Sequence, residues 1–488
     1  MRNLCLLTAV LIYALMPSCK PTEKTYVTVV FDVEDYISHA SEGVDEIPRW
    51  LAETMTEVGV TGTFFVIGEK ARSLERRGRQ DVIEAMAAHD IGSHTNLGSI
   101  HPTVTEILEY ADWDQGVQVM LENESVGFDE LERIFKVPVN TLARHGGSYG
   151  PQLIYALGQM GKGYVYSPVQ LPGKHITWFC NTLNFHGDYG AFDDVYYSDE
   201  LFNPVFDTLK KNFLSDIEGL DMISFFACHP TKVRAEQFWD FNFYEGANPD
   251  RDSLKAPRLR PAESMLTAQK NFKRLMQFLK DQETVEVVTI SELIEKFSYQ
   301  PEMIAKKDLQ RIAEKVCASN QVVYDELYSP AEVFAALTQS LVEFGQGERM
   351  PAKLQRESPL GPMKMPPEVP GLTSVSMEQL MELARASRDI IHNRGHLPAE
   401  IKMEERAVGT GTLLHLFCRA YLDISGKVQR ESYEVSPFDP YPKANEELIL
   451  SEVEGYKNWI VHRTDLDMSF LAEMTRMQLW TLKPAIEK

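Results

Sequence analysis

Carboxylates, histidines and one arginine recur at the ends of short apolar runs in this chain. A β-branched stretch, residues 26–30, exits into Phe31-Asp32-Val33-Glu34-Asp35. Gly92-Ser93-His94-Thr95 ends a second run, and His101-Pro102 follows shortly after it. Arg144 leaves a third run ahead of Gly146-Gly147, and His229-Pro230 closes the run from Met222 to Cys228. Asp32 and Glu34 stand two apart, so on a strand they share a face, with Asp35 turned away as a reserve ligand. One of the pair can bind a metal while its neighbour accepts a proton. A carboxylate with His94 and His101 makes a facial set suited to zinc or another divalent ion, leaving positions open for water and substrate. His229 can protonate a leaving group. Arg144 can hold a carboxylate such as Asp32 in its charged form. The set describes metal-assisted hydrolysis.

The elements that must position these groups alternate. Apolar runs at residues 26–31, 62–67, 91–93, 141–143, 164–166, 176–183, 222–228 and 285–289 read as strands. Between most of them lie helical patterns, among them residues 47–58, 81–89, 103–135 and 262–279. Strand–helix alternation over residues 26–300 predicts an α/β domain with a mainly parallel sheet, and the spread of polar strand ends favours a barrel. Residues 301–488 read as a mainly helical accessory domain. Within it, a helical pattern ending in Gly345 and reaching Met350-Pro351-Ala352-Lys353 resembles a second one passing Gly395 to Leu397-Pro398-Ala399-Glu400, which suggests a two-fold repeat.

A length of 488 residues exceeds one ordinary core. With 44% hydrophobic and 25% charged residues the composition is that of a globular chain. A net charge of −22 argues against nucleic acid as a partner. Arg2, an apolar run at residues 4–16, and then Ser18-Cys19 read as a signal peptide over residues 1–19, with residues 20–25 as a polar tether. This start resembles a bacterial lipoprotein, so export and an N-terminal lipid anchor are expected, with simple secretion as the alternative. Cys180, Cys228, Cys317 and Cys418 are far apart without CxxC spacing, as expected of small apolar core residues.

The order carboxylate pair, His-Thr with a later histidine, Arg with glycines, and late apolar-His resembles the polysaccharide deacetylases, the NodB-homology enzymes of carbohydrate esterase family 4 (CE4). The resemblance covers about residues 26–300. It implies a distorted (β/α) barrel, a divalent metal that is commonly zinc, and removal of acetyl groups from a carbohydrate such as a polysaccharide or peptidoglycan. The family's first motif, Thr-Phe-Asp-Asp-Gly, stands here as Val30-Phe31-Asp32-Val33-Glu34. The resemblance makes Asp32 the base, Glu34 and His94 metal ligands, Arg144 the group that positions the base, and His229 the acid, with Leu183 or Trp178 beside it. The chain departs from the family in two places. The second histidine is expected at position 98, which is Gly98, leaving three possibilities: His101 supplies the imidazole, His145 reaches the metal, or the ligand is lost. Glycines also replace the family's prolines after Arg144. Two other readings use the same residues: a glycan-binding protein on a decayed barrel, and a C–N hydrolase acting on a small amide. The aromatic run from Phe238 to Tyr244 is expected either to stack on sugar or to cover the barrel mouth.

Overall fold

The computed structural model describes residues 24–488, apart from 191, 348, 368–371, 404–405 and 444. The signal peptide expected over residues 1–19, and all but the end of the tether, lie outside the described residues.

Ten strands build the main sheet's barrel part: β1 (Thr25–Val33), β2 (Thr63–Val66), β3 (Asp90–Ser93), β4 (Thr141–Ala143), β5 (Gly163–Val165), β6 (Ile176–Phe179), β7 (Thr182–Phe185), β8 (Asp188–Tyr189), β9 (Met222–Cys228) and β10 (Val285–Val287). β1 is buried along its whole length, as a continuous apolar strand in a parallel sheet covered on both faces should be. It pairs in parallel with β2, β9 and β10, and the parallel pairing runs on from β2 through β3, β4 and β5 to β7. The sheet has two nominal ends, yet β8 follows β7 after two residues and pairs with β9. His175, just before β6, bonds Met222 O through Nδ1 at 2.9 Å. The sheet therefore curls round into a distorted barrel. The expected strand at residues 176–183 is two strands, because Cys180 and Asn181 take φ of 49° and 56° and turn the chain into an antiparallel hairpin.

Helices fill the crossovers: α1 (Glu46–Val58), α2 (Gly68–Arg76), α3 (Gln80–Ala87), α4 (Val104–Leu108), α5 (Trp113–Phe135), α6 (Pro151–Gln159), α7 (Asp199–Asp216), α8 (Pro230–Arg234), α9 (Ser264–Lys280) and α10 (Ile290–Phe297). The helical pattern expected over residues 103–135 divides into α4 and α5, where Asp112 caps the second helix by accepting from Gln115 N at 2.9 Å.

Beyond the barrel the chain makes two similar halves. One is β11 (Met303–Ala305), α11 (Lys306–Ser319), α12 (Pro330–Gly345) and β12 (Lys353–Gln355). The other is β13 (Ser374–Ser376), α13 (Met377–Arg394), the hairpin β14 (Glu400–Met403) with β15 (Arg406–Gly409), α14 (Thr410–Ser425) and β16 (Ser432–Glu434). In each half the outer strands pair antiparallel around a buried couple, Ile304 with Leu354 and Val375 with Tyr433. The flanking bonds also match: Lys306 N donates to Ala352 O and Met377 N to Glu431 O. α12 packs on α13 as α11 packs on α14, a pseudo-two-fold arrangement around a second apolar core that matches α11 with α13 and α12 with α14, not α12 with α13 as the expected repeat did.

The C-terminal third is not one accessory body. After this unit the chain returns through α15 (Glu446–Gly455) and α16 (Ser469–Gln478), whose apolar residues join the barrel core, and ends as β17 (Lys483–Pro484) against β6. The unit of residues 302–435 is thus held between two parts of the barrel body. Lys483 Nζ, buried, meets both oxygens of Glu332 on α12 at 2.8 and 2.9 Å and ties the two cores together.

Candidate active site

Asp32, Glu34, His94, Arg144 and His229 gather at the C-terminal end of the parallel strands, where barrel folds collect their chemistry, whereas His101, Asp35 and Thr95 do not join the centre. Asp32 and Glu34 leave β1 on one face, as the two-residue period requires. His94 follows β3, Arg144 and His145 follow β4, Tyr166 follows β5, and His229 follows β9.

Glu34 is the hub. Its Oε1 lies 3.2 Å from His94 Nε2, 3.3 Å from His145 Nδ1 and 3.9 Å from His229 Nε2. Its other oxygen, Oε2, accepts from the buried indole of Trp239 at 2.7 Å. Asp32 Oδ2 stands 3.6 Å from His94 Nε2 and 3.7 Å from His229 Nε2. The three histidines and Trp239 thus fix Glu34 with one oxygen aimed at the imidazoles.

Ligand-like groupings appear for Glu34, His94 and His145, and for Asp32, Glu34 and His229. The first fits a divalent ion. Among the described residues the buried His145 Nδ1 faces only Glu34 Oε1, without a well-aligned hydrogen bond, whereas its Nε2 is fixed by Ser99 Oγ at 3.0 Å. His94 Nδ1 is fixed by Ala143 O at 3.2 Å, leaving Nε2 pointing inward. An outward nitrogen anchored and an inward one presented is how imidazole ligands are oriented. Burial pushes the His94 pKa down to about 4 against the pull of Glu34, which keeps that ring neutral as a ligand must be. Burial alone would raise the Glu34 carboxyl, but His229, His145 and His94 outweigh it and hold it well below the usual carboxylate range.

The structure departs from the sequence-based expectation at His101. Its Nδ1 is 2.7 Å from Glu106 Oε2 and its Nε2 is 3.0 Å from Phe243 O, so both ring nitrogens are committed away from the centre. His101 joins the loop after β3 to the segment around Phe243. A side chain at Gly98 is disfavoured: its φ is +63°, and an added Cβ would lie 2.7 Å from Ile67 Cδ1, which would have to move. The second histidine that stands beside Glu34 and His94 is His145. Asp35, the reserve ligand, caps a turn: Oδ1 accepts from Ile37 N and Ser38 N, and Oδ2 from the hydroxyls of Ser38 and Thr231. Thr95 caps a turn too, its hydroxyl accepting from Gly98 N at 3.1 Å.

Arg144 reaches Tyr166 O through Nε at 3.1 Å, bonds Gly146 O, and lies 4.1 Å above the Tyr456 ring. Tyr166 in turn donates its hydroxyl to Asp32 Oδ1 at 3.2 Å. Arg144 thereby sets the backbone that presents Tyr166 to the carboxylate. His229 is gripped twice by Asp193, whose Oδ2 is 2.8 Å from Nδ1 and whose Oδ1 accepts from the backbone N at 2.7 Å. Burial opposes a charge on His229, yet Asp193, Glu34 and Asp32 overcome it and push its pKa up to about 10. Phe226 and Phe238 stand beside His229, with ring centroids 4.7 and 4.6 Å away, and Phe226 belongs to the same apolar cluster as Leu183 and Trp178.

Sequence reasoning missed Tyr166, Asp193 and Trp239. Tyr166 sits at a strand exit like the others, but a tyrosine there has no special signature. Asp193 lies in an irregular loop after β8 with nothing in its spacing to mark it. Trp239 belongs to the aromatic run already noted, and it turns inward to Glu34 instead of outward to a ligand.

No family model matches this chain, and no curated protein sequence matches it. Solved structures do resemble it. One is a polysaccharide deacetylase from Mycobacterium smegmatis, at 16% identity and a TM-score of 0.35, covering 57% of this chain and 92% of that one. An allantoinase shares 13% identity at a TM-score of 0.35, covering 58% of this chain and 94% of its own. A CE4 family pseudoenzyme from Bacillus anthracis shares 13% at a TM-score of 0.31, covering 56% and 66%.

Proposed function

We propose that this protein is a metal-dependent hydrolase that removes acetyl groups, N-acetyl foremost, from a carbohydrate outside the cytoplasm. The observation that carries this is the buried convergence of Glu34, His94 and His145, with Asp32 and His229 on its open side. Glu34, His94 and His145 would hold the ion, and bound there it would acidify a water and polarise the acetyl carbonyl.

The chain's own groups supply the proton transfers. Asp32, oriented by the Tyr166 hydroxyl, takes the proton of the attacking water. His229 starts charged because Asp193 occupies its Nδ1, and that contact leaves the Nε2 proton free to face the centre. As the C–N bond breaks, Nε2 delivers this proton to the departing amine. The donor and the acceptor of protons are therefore separate side chains less than 4 Å apart, 3.7 Å from Nε2 to Asp32 Oδ2. Trp239 keeps Glu34 from rotating out of the ligand position.

The glycan-binding reading on a decayed barrel drew its motive from Gly98 and from the extra C-terminal residues. His145 beside Glu34 and His94 answers the first of these. Acetate release from a panel of acetylated glycans, with and without chelator, tests the proposal. Release that chelation stops and Asp32→Asn abolishes is expected. A wild-type protein inactive across the panel with its ion bound would overturn it.

A further inference from the structure

The surroundings of the histidines are not built by the barrel strands alone: Trp459 of the returning segment packs on His145. We infer that residues 456–463, from the returning C-terminal segment, form one wall of the substrate cleft, with Trp459 the aromatic platform on which a pyranose ring stacks. This rests on the carbohydrate reading above and names the residue that would select such a ligand.

Trp459 stands edge-to-face on His145, with ring centroids 5.2 Å apart. It is partly exposed, while its neighbours Val461 and His462 are buried. Phe238, also partly exposed, stands 4.6 Å from the His229 ring, and it packs with Trp459 on one apolar cluster that includes Trp239 and Val461. Two aromatic rings therefore border the polar centre, one beside the ligand His145 and one beside the acid His229. The apolar C–H faces of a pyranose suit such rings, and its hydroxyls can remain in water.

The glycines after Arg144 give this wall its room. A Cβ on Gly146 would fall inside the Trp459 indole, and one on Gly147 would lie 2.6 Å from Tyr456 O. The wall is also fixed in place. Glu245 N donates to Ile460 O at 2.8 Å and Gly246 N to Val461 O at 3.0 Å. Arg463 N donates to Glu106 at 3.1 Å, its guanidinium reaches Glu109 at 2.5 Å, and Asp467 N donates to Glu109 at 2.7 Å. A platform clamped from two sides loses little freedom when a sugar settles on it.

The test uses the full chain loaded with zinc, comparing Trp459→Leu and Trp459→Phe. Leucine covers the glycines without offering an aromatic face, and phenylalanine keeps the face. Binding of an N-acetylglucosamine tetramer is measured by calorimetry alongside zinc content. The platform predicts that Trp459→Leu weakens tetramer binding by about tenfold while Trp459→Phe stays within about threefold, both at full zinc. Equal binding by the two variants, or loss of zinc from both, would overturn it, because Trp459 would then be packing only. A wild-type protein that binds the tetramer through Trp459 but releases no acetate would sink the deacetylase reading and leave the platform standing. A wild-type protein that binds no glycan overturns the platform whatever else it hydrolyses.

Discussion

His145 Nδ1 faces Glu34 Oε1 at 3.3 Å, although the two residues follow different strands and lie more than a hundred positions apart. His145→Ala is expected to lower zinc affinity by about 10–100-fold or more and to remove activity, since it deletes a ligand. His101→Ala should leave the zinc stoichiometry intact and lower the melting temperature, because its partners Glu106 and Phe243 O are structural. Metal analysis of the two purified variants decides between them. Zinc lost from His101→Ala and kept by His145→Ala would reverse the assignment.

Asp193 acts only through His229. Asp193→Asn keeps the shape but removes the charge that sustains the imidazolium, so kcat is expected to fall by about 10²-fold with KM and zinc content little changed. Steady-state kinetics on an acetylated oligosaccharide reads this directly. An unchanged kcat would remove His229 from the role of acid.

Glu124 lies buried on α5 and accepts from Asn96 N at 3.0 Å, just beyond the ligand His94. Burial pushes its pKa from the ordinary 4.5 up to about 7. Between those values the unfolded chain has lost the proton and the folded protein has kept it, so this group's contribution to stability falls as pH rises through that window. Glu124→Gln should therefore match the wild type near pH 4 and exceed it by up to about 3 kcal/mol at pH 8, from about 2.5 pKa units at 1.36 kcal/mol each. Urea unfolding at the two pH values measures the difference. A variant less stable at pH 8 would show that the carboxylate is compensated.

Lys483 and Glu332 join the two cores. Glu332→Ala leaves the Lys483 ammonium buried without its counter-charge and should cost about 3–5 kcal/mol. The double variant Glu332→Leu with Lys483→Met should regain most of that, since well-packed apolar groups replace the pair. Chemical denaturation of the single and double variants tests the coupling. Additive losses would refute it.

The strand ends were legible in the sequence because a fully buried parallel strand is an unbroken apolar run and its exit is abruptly polar. Asp32, Glu34, His94 and His229 come together on that signal alone. His101 misled because a histidine shortly after a strand exit looks the same whether its nitrogens face a centre or a glutamate. The choice is made by Gly98, whose left-handed backbone turns the loop away, and by Glu106, which takes the ring. Asp193 and Tyr166 act through contacts between distant segments that no local pattern encodes. The hairpin in residues 176–183 was hidden for another reason: Cys180 and Asn181 accept positive φ without the glycine that usually announces it. The return of residues 446–484 to the barrel was likewise unmarked, since an amphipathic helix shows that it has a partner and not which one.

That return has a consequence for how the protein comes into being. The first ligand emerges from the ribosome within the opening tenth of the chain, and the Trp459 wall within the last. Until the inserted two-fold unit has been made and passed, the centre stands open on its His145 side. Contacts of such long sequence separation are slow to close, so the nascent barrel waits on its own C-terminus. A shortened chain ending near residue 300 would lose the helices that complete the barrel core and the strand that pairs with β6.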